Sequence, residues 1–301
     1  MIRNFEEMLL HAKTIGKKKI AVACAQDEDV LKAVENARSK DIADAILVGD
    51  QEKICEILKS IGADCDKYEV RDIKDLAEAS LEAVRLVSSG EADLVMKGLV
   101  DTSIILKAVL NKEVGLRTGN VLSHVALFKV EDFPRLLVIT DAAMNIAPDL
   151  EAKKQIIENS LAVTKALEID LPKVAVLCAK EKVNPKMPAT VEAKELEDMN
   201  KAGRIEGCIV QGPMALDNAI SKEAAEHKGI TGEVAGEADI LLCPNIEAGN
   251  IFYKALAFLS KSKSAGVIVG AKAPIILTSR ADSSETKLNS IVLGVLMADK
   301  M

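Results

Sequence analysis

The chain has 301 residues, 49% of them apolar and only 2% aromatic with no Trp, so two domains with aliphatic cores are expected. Charged residues make up 28% and the net charge is -7. That balance argues against a general nucleic-acid or membrane-surface binder, although a local basic pocket could still hold phosphate.

The opening segment MIRNFEEMLLHAKTIGKKK reads as a charged amphipathic helix without the apolar stretch of a signal peptide. No apolar run approaches a membrane span, so a soluble, cytoplasmic protein is expected. Ile20 to Ala25 is a predicted strand, followed by a helix from Asp27 to Ser39, a strand at Ala45 to Val48 and a helix ending at Gly62. Leu76, Ala79, Ala83, Val84 and Val87 repeat at helical spacing. Asp93 to Lys97 is again a strand and Asp101 to Leu110 a helix. Runs apolar on both faces suit a parallel sheet covered by helices.

After Val121 the rhythm changes. Val125 to Phe128 and Leu136 to Thr140 are too close in sequence for a parallel crossover, so an antiparallel pair is expected. Alternation resumes with strands at Val174 to Cys178, Cys208 to Val210, Ile240 to Cys243 and Val267 to Val269. Helices fall near 149–168, 188–202 and 249–261. A last strand, Ile275 to Thr278, leads into a helix on which Leu288, Ile291, Val292, Val295 and Leu296 keep helical spacing.

The six cysteines (Cys24, Cys55, Cys65, Cys178, Cys208 and Cys243) form no CxxC pair, and the expectation is unpaired, inert core thiols. Neither a dinucleotide fingerprint nor a P-loop is present. The three histidines make no zinc-ligand pair, and no GxSxG elbow appears. His124, beside an apolar strand, reads as structural. No metal site is expected.

One segment is chemically suggestive in its own right. Thr278 to Asp282 joins an apolar strand to a helix, placing Ser279 and Arg280 where ligands bind in open α/β sheets. A helix N-terminus with a nearby Arg suits an anion. Asp282 or Ser283 could equally cap that helix, with Glu285 completing the box. Arg117 sits in a Gly-flanked loop, Lys107 on a helix, Asn145 in a turn before a helix, and Asn250 and Lys254 one turn apart near a helix start.

Five stretches, taken in order, resemble the phosphate acetyltransferase and phosphate butyryltransferase family. They are MKGLVDTSIILKAVLNKEVGLRTG from Met96, SHVALF from Ser123, ITDAAMNIAPDL from Ile139, GEVAGEADILLCPNIEAGNIFYK from Gly232 and PIILTSRADSSETKLNSI from Pro274. The resemblance implies an α/β protein of two domains with mainly parallel sheets and an interdomain cleft, in an isocitrate/isopropylmalate dehydrogenase-like architecture. Residues 1–127 plus 270–301 would form one domain and 128–269 the other. The implied reaction is butanoyl-CoA plus phosphate giving butanoyl phosphate plus CoA, by direct attack in a ternary complex.

The same resemblance makes Ser279 and Arg280 catalytic. It draws Arg117, Lys107, Asn145, Asn250 and Lys254 toward substrate, coenzyme A or phosphate. Acetyl-transferring relatives carry an Asp where this chain has Thr286, with Glu285 adjacent, so Glu285 and Asp282 stand as the candidates for the base. TSRADS resembles the butyryl branch more than the acetyl branch. No cofactor is implied, since the coenzyme A thioester is a substrate. Acyl-CoA and inorganic phosphate are the expected partners, with a homo-oligomer and neither nucleic acid nor membrane. The rival readings are acetyl or branched-chain acyl transfer, and a non-catalytic acyl-CoA or phosphate-binding protein.

Overall fold

A computed structural model describes every residue except Lys261 and Arg280. The chain divides into two units: a flanking unit of Asn4–Asn120 with Ser264–Met301, and a middle unit of Val121–Lys263 joined by Met1–Arg3. The chain crosses a few residues before each of the points expected at 127 and 270.

The flanking unit begins with α1 (Phe5–Ala12), β1 (Lys18–Ala23), α2 (Glu28–Ser39), β2 (Ala43–Gly49) and α3 (Gln51–Ser60). It continues with β3 (Glu69–Asp72), α4 (Leu76–Ser88), β4 (Leu94–Lys97) and α5 (Thr102–Val109). Acidic N-caps start several of these helices: the carboxylates of Asp27, Asp50 and Asp75 accept backbone N–H groups of the first turns of α2, α3 and α4. The expected stripe of α4 buries Ala79, Ala83, Val84 and Val87, while Leu76 at its first position is exposed.

The middle unit holds β5 (Ser123–Lys129), β6 (Leu137–Thr140), α6 (Leu150–Ala166), β7 (Lys173–Leu177) and α7 (Pro188–Lys201). Next come β8 (Ile209–Met214), α8 (Leu216–Ile220), α9 (Lys222–His227), β9 (Ile240–Leu242) and α10 (Ile246–Leu259). The flanking unit is then completed by β10 (Lys263–Val269), β11 (Ile275–Ile276) and α11 (Ser284–Lys300).

Strand order in the flanking unit is β3-β2-β1-β4-β11-β10, parallel apart from the β10–β11 pair. In the middle unit the order is β5-β6-β9-β7-β8, parallel apart from β5–β6. That antiparallel pair is the one expected from its short connection. Both cores are aliphatic; Phe128, fully buried, is the main aromatic contribution to the middle one.

Several local expectations are corrected. β3 went unpredicted because Val70 is the one apolar residue of its sequence EVRD; only pairing with β2 makes it a strand. α8 and α9 are too short to show periodicity. α10 starts at Ile246, not 249, because the Asn245 side chain caps it at Ala248 N–H. The first strand stops at Ala23, since Cys24 turns into the left-handed region with φ 53°. Cys55 and Cys65 are disulfide-bonded, against the expectation of unpaired thiols: α3 and the following 3-10 turn bring their Cα atoms to 5.3 Å. Cys24, Cys178, Cys208 and Cys243 are free thiols. Burial pushes Cys178 and Cys208 up to about 11 and Cys243 to about 12, in keeping with inert side chains.

Candidate active site

In the flanking unit the strand order reverses next to β1. β2 and β3 extend to one side and β4 lies on the other, so chain segments leaving the carboxyl ends of β1 and β4 diverge there. Such a switch point leaves a crevice in which ligands of open α/β sheets bind. A narrow recess lies at this place, lined by Asp27, Val30, Lys97, Gly98, Thr278, Ser279 and Lys287.

Its floor is fixed by close backbone packing. Gly98 N–H donates to Ala23 O at 2.8 Å and Leu99 N–H to Cys24 O at 2.8 Å. A Cβ on Gly98 would stand 2.2 Å from the Cys24 carbonyl oxygen, so only glycine allows the two strand ends to meet.

One wall is the turn after β11. Ser279 N–H donates to Asp282 Oδ2 at 2.7 Å, Ala281 N–H to the Ser279 hydroxyl at 3.2 Å, and Asp282 N–H to Ser279 O at 3.1 Å. The helix cap is Ser283, whose hydroxyl accepts Thr286 N–H at 3.2 Å, while the Asp282 carboxylate closes the turn. Glu285 is exposed in the first turn of α11. Arg280 lies outside the described residues.

Two buried lysines reach this place. Lys97, at the end of β4, is 5% exposed and donates to Gly98 O at 3.2 Å. Lys287, on α11, is 2% exposed and donates to Asp282 O at 2.5 Å and Ser279 O at 3.5 Å. Neither was singled out from sequence. The signal for Lys287 was legible: it stands at i, i+4, i+8 with Ile291 and Val295, so a cation occupies the buried stripe of α11.

Arg117 is exposed on a loop pinned to the turn after β10. Thr118 donates its hydroxyl to Gly270 O at 2.5 Å, Lys272 N–H donates to Leu116 O at 2.9 Å, and Arg117 itself bridges to Ala271. Lys107 is exposed in the last turn of α5.

The remaining candidates belong to the middle unit, where they gather at the carboxyl end of β6. Buried Asp141 accepts N–H groups of Ala143, Met144 and Asn145. The Asn145 amide donates to Asp141 Oδ2 at 2.6 Å and to Leu122 O at 2.9 Å, so its N–H groups hold the turn together. Asn250 donates to Ala142 O at 3.1 Å, and Gly249 is required beside it because a Cβ would stand 2.3 Å from Asp141 O. Lys254 is exposed on α10. His124 is buried edge-on to Tyr253, with ring centroids 5.8 Å apart. Burial holds its imidazole below the usual range, partly opposed by the Asp141 carboxylate. Among the described residues no cluster of three or more His, Cys, Asp or Glu could hold a metal ion, and no helix is long and apolar enough to cross a membrane.

An α/β sheet with two buried lysines and a serine turn at its switch point has the chemistry that suits an anion. The family model described as "Phosphate acetyl/butaryl transferase" matches residues 4–80 and 73–295, and the chain belongs to that family of acyltransferases. A phosphate butyryltransferase of Clostridium beijerinckii is 57% identical over 298 residues, covering 99% of both chains. The crystal structure of a branched-chain phosphotransacylase from Enterococcus faecalis superposes with a TM-score of 0.84 at 34% identity, covering 93% of this chain and 99% of that one. The 4-hydroxythreonine-4-phosphate dehydrogenase of Klebsiella pneumoniae shares the fold, with a TM-score of 0.56 at 14% identity. The dehydrogenase-like α/β architecture expected from the sequence is therefore present.

Proposed function

We propose that the chain is a phosphate butyryltransferase, converting butanoyl-CoA and phosphate to butanoyl phosphate and CoA, reversibly. The observation that carries this reading is the 57% identity, over nearly the whole of both chains, to a phosphate butyryltransferase.

In this reading a phosphate oxygen attacks the thioester carbonyl directly within a ternary complex. The C–S bond breaks as the new C–O bond forms, and the leaving thiolate takes up a proton. Ser279 and Arg280 stabilise the charge that develops on the oxygens, and Arg117 and Lys107 contact substrate or coenzyme A. Asn145, Asn250 and Lys254 contribute from the middle unit; with the Asn145 N–H groups already engaged, any substrate contact there falls to its carbonyl oxygen. Glu285 and Asp282 are the candidates for the proton-transferring carboxylate, and Asp282 also accepts the Ser279 N–H. The enzyme uses no metal or prosthetic group, acts in the cytoplasm and assembles as a homo-oligomer.

Thiol release from acetyl-, butyryl- and isobutyryl-CoA, with and without phosphate, tests the proposal. Phosphate-dependent release favouring butyryl-CoA supports it, and release that ignores phosphate defeats it. The likeness to a branched-chain phosphotransacylase favours isobutyryl-CoA as the second reading, since small differences in acyl shape give only modest discrimination.

A further inference from the structure

In the middle unit β6, β9 and β7 are neighbours, with Val138 and Val174 both in register with Ile240. The residues just before these strands, Arg135, Asp239 and Lys173, therefore come together at their amino ends. With Glu237 they floor a recess of about 670 Å³, a size that holds a small molecule. The turn from Glu168 to Leu171 and the Met1–Arg3 segment enclose it, the latter anchored by Ile2 N–H to Leu167 O at 2.9 Å. Asp141 and Asn145 follow the carboxyl end of β6, so the length of a strand, roughly 10–15 Å, separates them from this recess.

The floor holds cations whose donors are poorly used. Arg135 Nε stands 3.6 Å from Asp239 Oδ1 and Lys173 Nζ 3.7 Å from Glu237 Oε2, both too long for hydrogen bonds. Lys222 already meets Glu237 at 2.5 Å, so three cations answer two carboxylates. Arg135 has five N–H donors and uses one, from Nη2 to Ala238 O at 2.9 Å, while its Nε is buried without an acceptor. Lys173 Nζ makes no hydrogen bond among the described residues. The opposite charge stands at the rim. Asp170 is exposed, and its carboxylate has no hydrogen bond or ion pair among the described residues. Glu168, nearby, is matched by the Met1 ammonium at 3.6 Å. Ile169 and Leu171 add aliphatic surface on either side of Asp170.

We propose that this recess binds a small aliphatic amino acid, its carboxylate on Arg135 and Lys173, its ammonium on Asp170 and its side chain against Ile169 and Leu171. A simple anion would leave Asp170 unmatched, and a simple amine would meet the cationic floor. The zwitterion answers both. This site is independent of the transfer reading above.

Titration calorimetry with L-leucine tests the site, set against isocaproate, which lacks the ammonium, and isoamylamine, which lacks the carboxylate. Leucine should bind, and each analogue should bind at least about tenfold more weakly, the scale of one lost hydrogen bond to a charged group. Lys173→Gln and Asp170→Asn should each weaken leucine by roughly tenfold, and Arg135→Gln by more. Asp170→Asn should leave isocaproate unchanged, because only the ammonium is read there. Saturating butyryl-CoA with phosphate should shift the leucine affinity by less than about threefold, since the two ends of the sheet are separate. No heat from leucine up to about 20 mM overturns the site. So does isocaproate binding as tightly as leucine, or competition by butyryl-CoA. If Arg135→Gln does not fold, Lys173→Gln and the surface change Asp170→Asn carry the same comparison. Failure of the transfer reading would show separately, as absent phosphate-dependent thiol release, and the calorimetry needs no turnover.

Discussion

The Asp282 carboxylate accepts the backbone N–H of Ser279 at 2.7 Å, so the residue three positions on fixes the direction in which the serine hydroxyl can act. Its contribution is that of an acceptor. Asp282→Asn keeps an oxygen there and should lose less than about fivefold in kcat. Asp282→Ala should lose tenfold or more, the scale of one net hydrogen bond to a charged group. If Asn is as damaging as Ala and removes a limb of the pH–rate profile, Asp282 is a proton-transfer group instead.

Arg117 stands exposed on a loop held by backbone and Thr118 contacts rather than by its own side chain. Arg117→Ala should therefore leave Tm within about 2 °C of the wild type, since surface changes away from such contacts are nearly neutral. It should lower kcat/KM by one to two orders of magnitude, the scale of a lost charge-assisted contact to an anion. Normal melting with near-full kcat/KM would make Arg117 a bystander.

His124 sets a sign for the pH dependence of stability. Burial lowers its folded value below the ordinary 6.5, so the unfolded chain takes up the proton more readily. Its contribution is intact above that ordinary value and is lost as the pH falls through it. Wild-type Tm should drop more steeply between about pH 7.5 and 5.5 than that of His124→Gln. Parallel curves would assign the acid sensitivity to other groups.

Gly98→Ala asks whether the switch point tolerates a side chain. The added methyl would meet backbone oxygens of Cys24 and Ala23 at 2.2 and 2.7 Å, neither of which belongs to a flexible side chain. A loss of about 2–4 kcal/mol in urea unfolding is expected, in the upper range for overpacking. A loss below 0.5 kcal/mol would show that the strand ends can separate.

α10 buries only Gly249 among its described side chains, while Ile251, Phe258 and Leu259 are 70%, 71% and 83% exposed. An apolar helix face of this kind suits an association surface, and the proposed homo-oligomer predicts that it serves as one. The double change Ile251→Lys, Phe258→Glu should lower the mass seen by light scattering to that of one chain without unfolding it. A wild type already monomeric at about 100 µM would remove this role.

Much of the fold was legible because it is locally encoded. Aliphatic runs, helical stripes and acidic caps report burial and hydrogen bonding within a few residues of themselves, and they located most strands and helices to within a few positions. The short link between β5 and β6 likewise implied their antiparallel pairing. The place of Ser279 between a buried strand and a helix was legible too. β3 was not, since a single apolar residue carries no alternation and its partner β2 supplies the pairing.

The tertiary structure alone decided what depends on strand order. Lys97 and Lys287 come from distant parts of the sequence and meet only because β4 and β11 are neighbours and α11 follows β11. Nothing near either lysine in the chain announces the other. The Cys55–Cys65 bond required the fold of the 3-10 turn against α3, which no cysteine spacing indicated. The amide of Asn145 was claimed by Asp141 and Leu122 for the same reason: a polar group in a packed interior bonds whatever the surrounding elements bring within reach, and packing settles which elements those are.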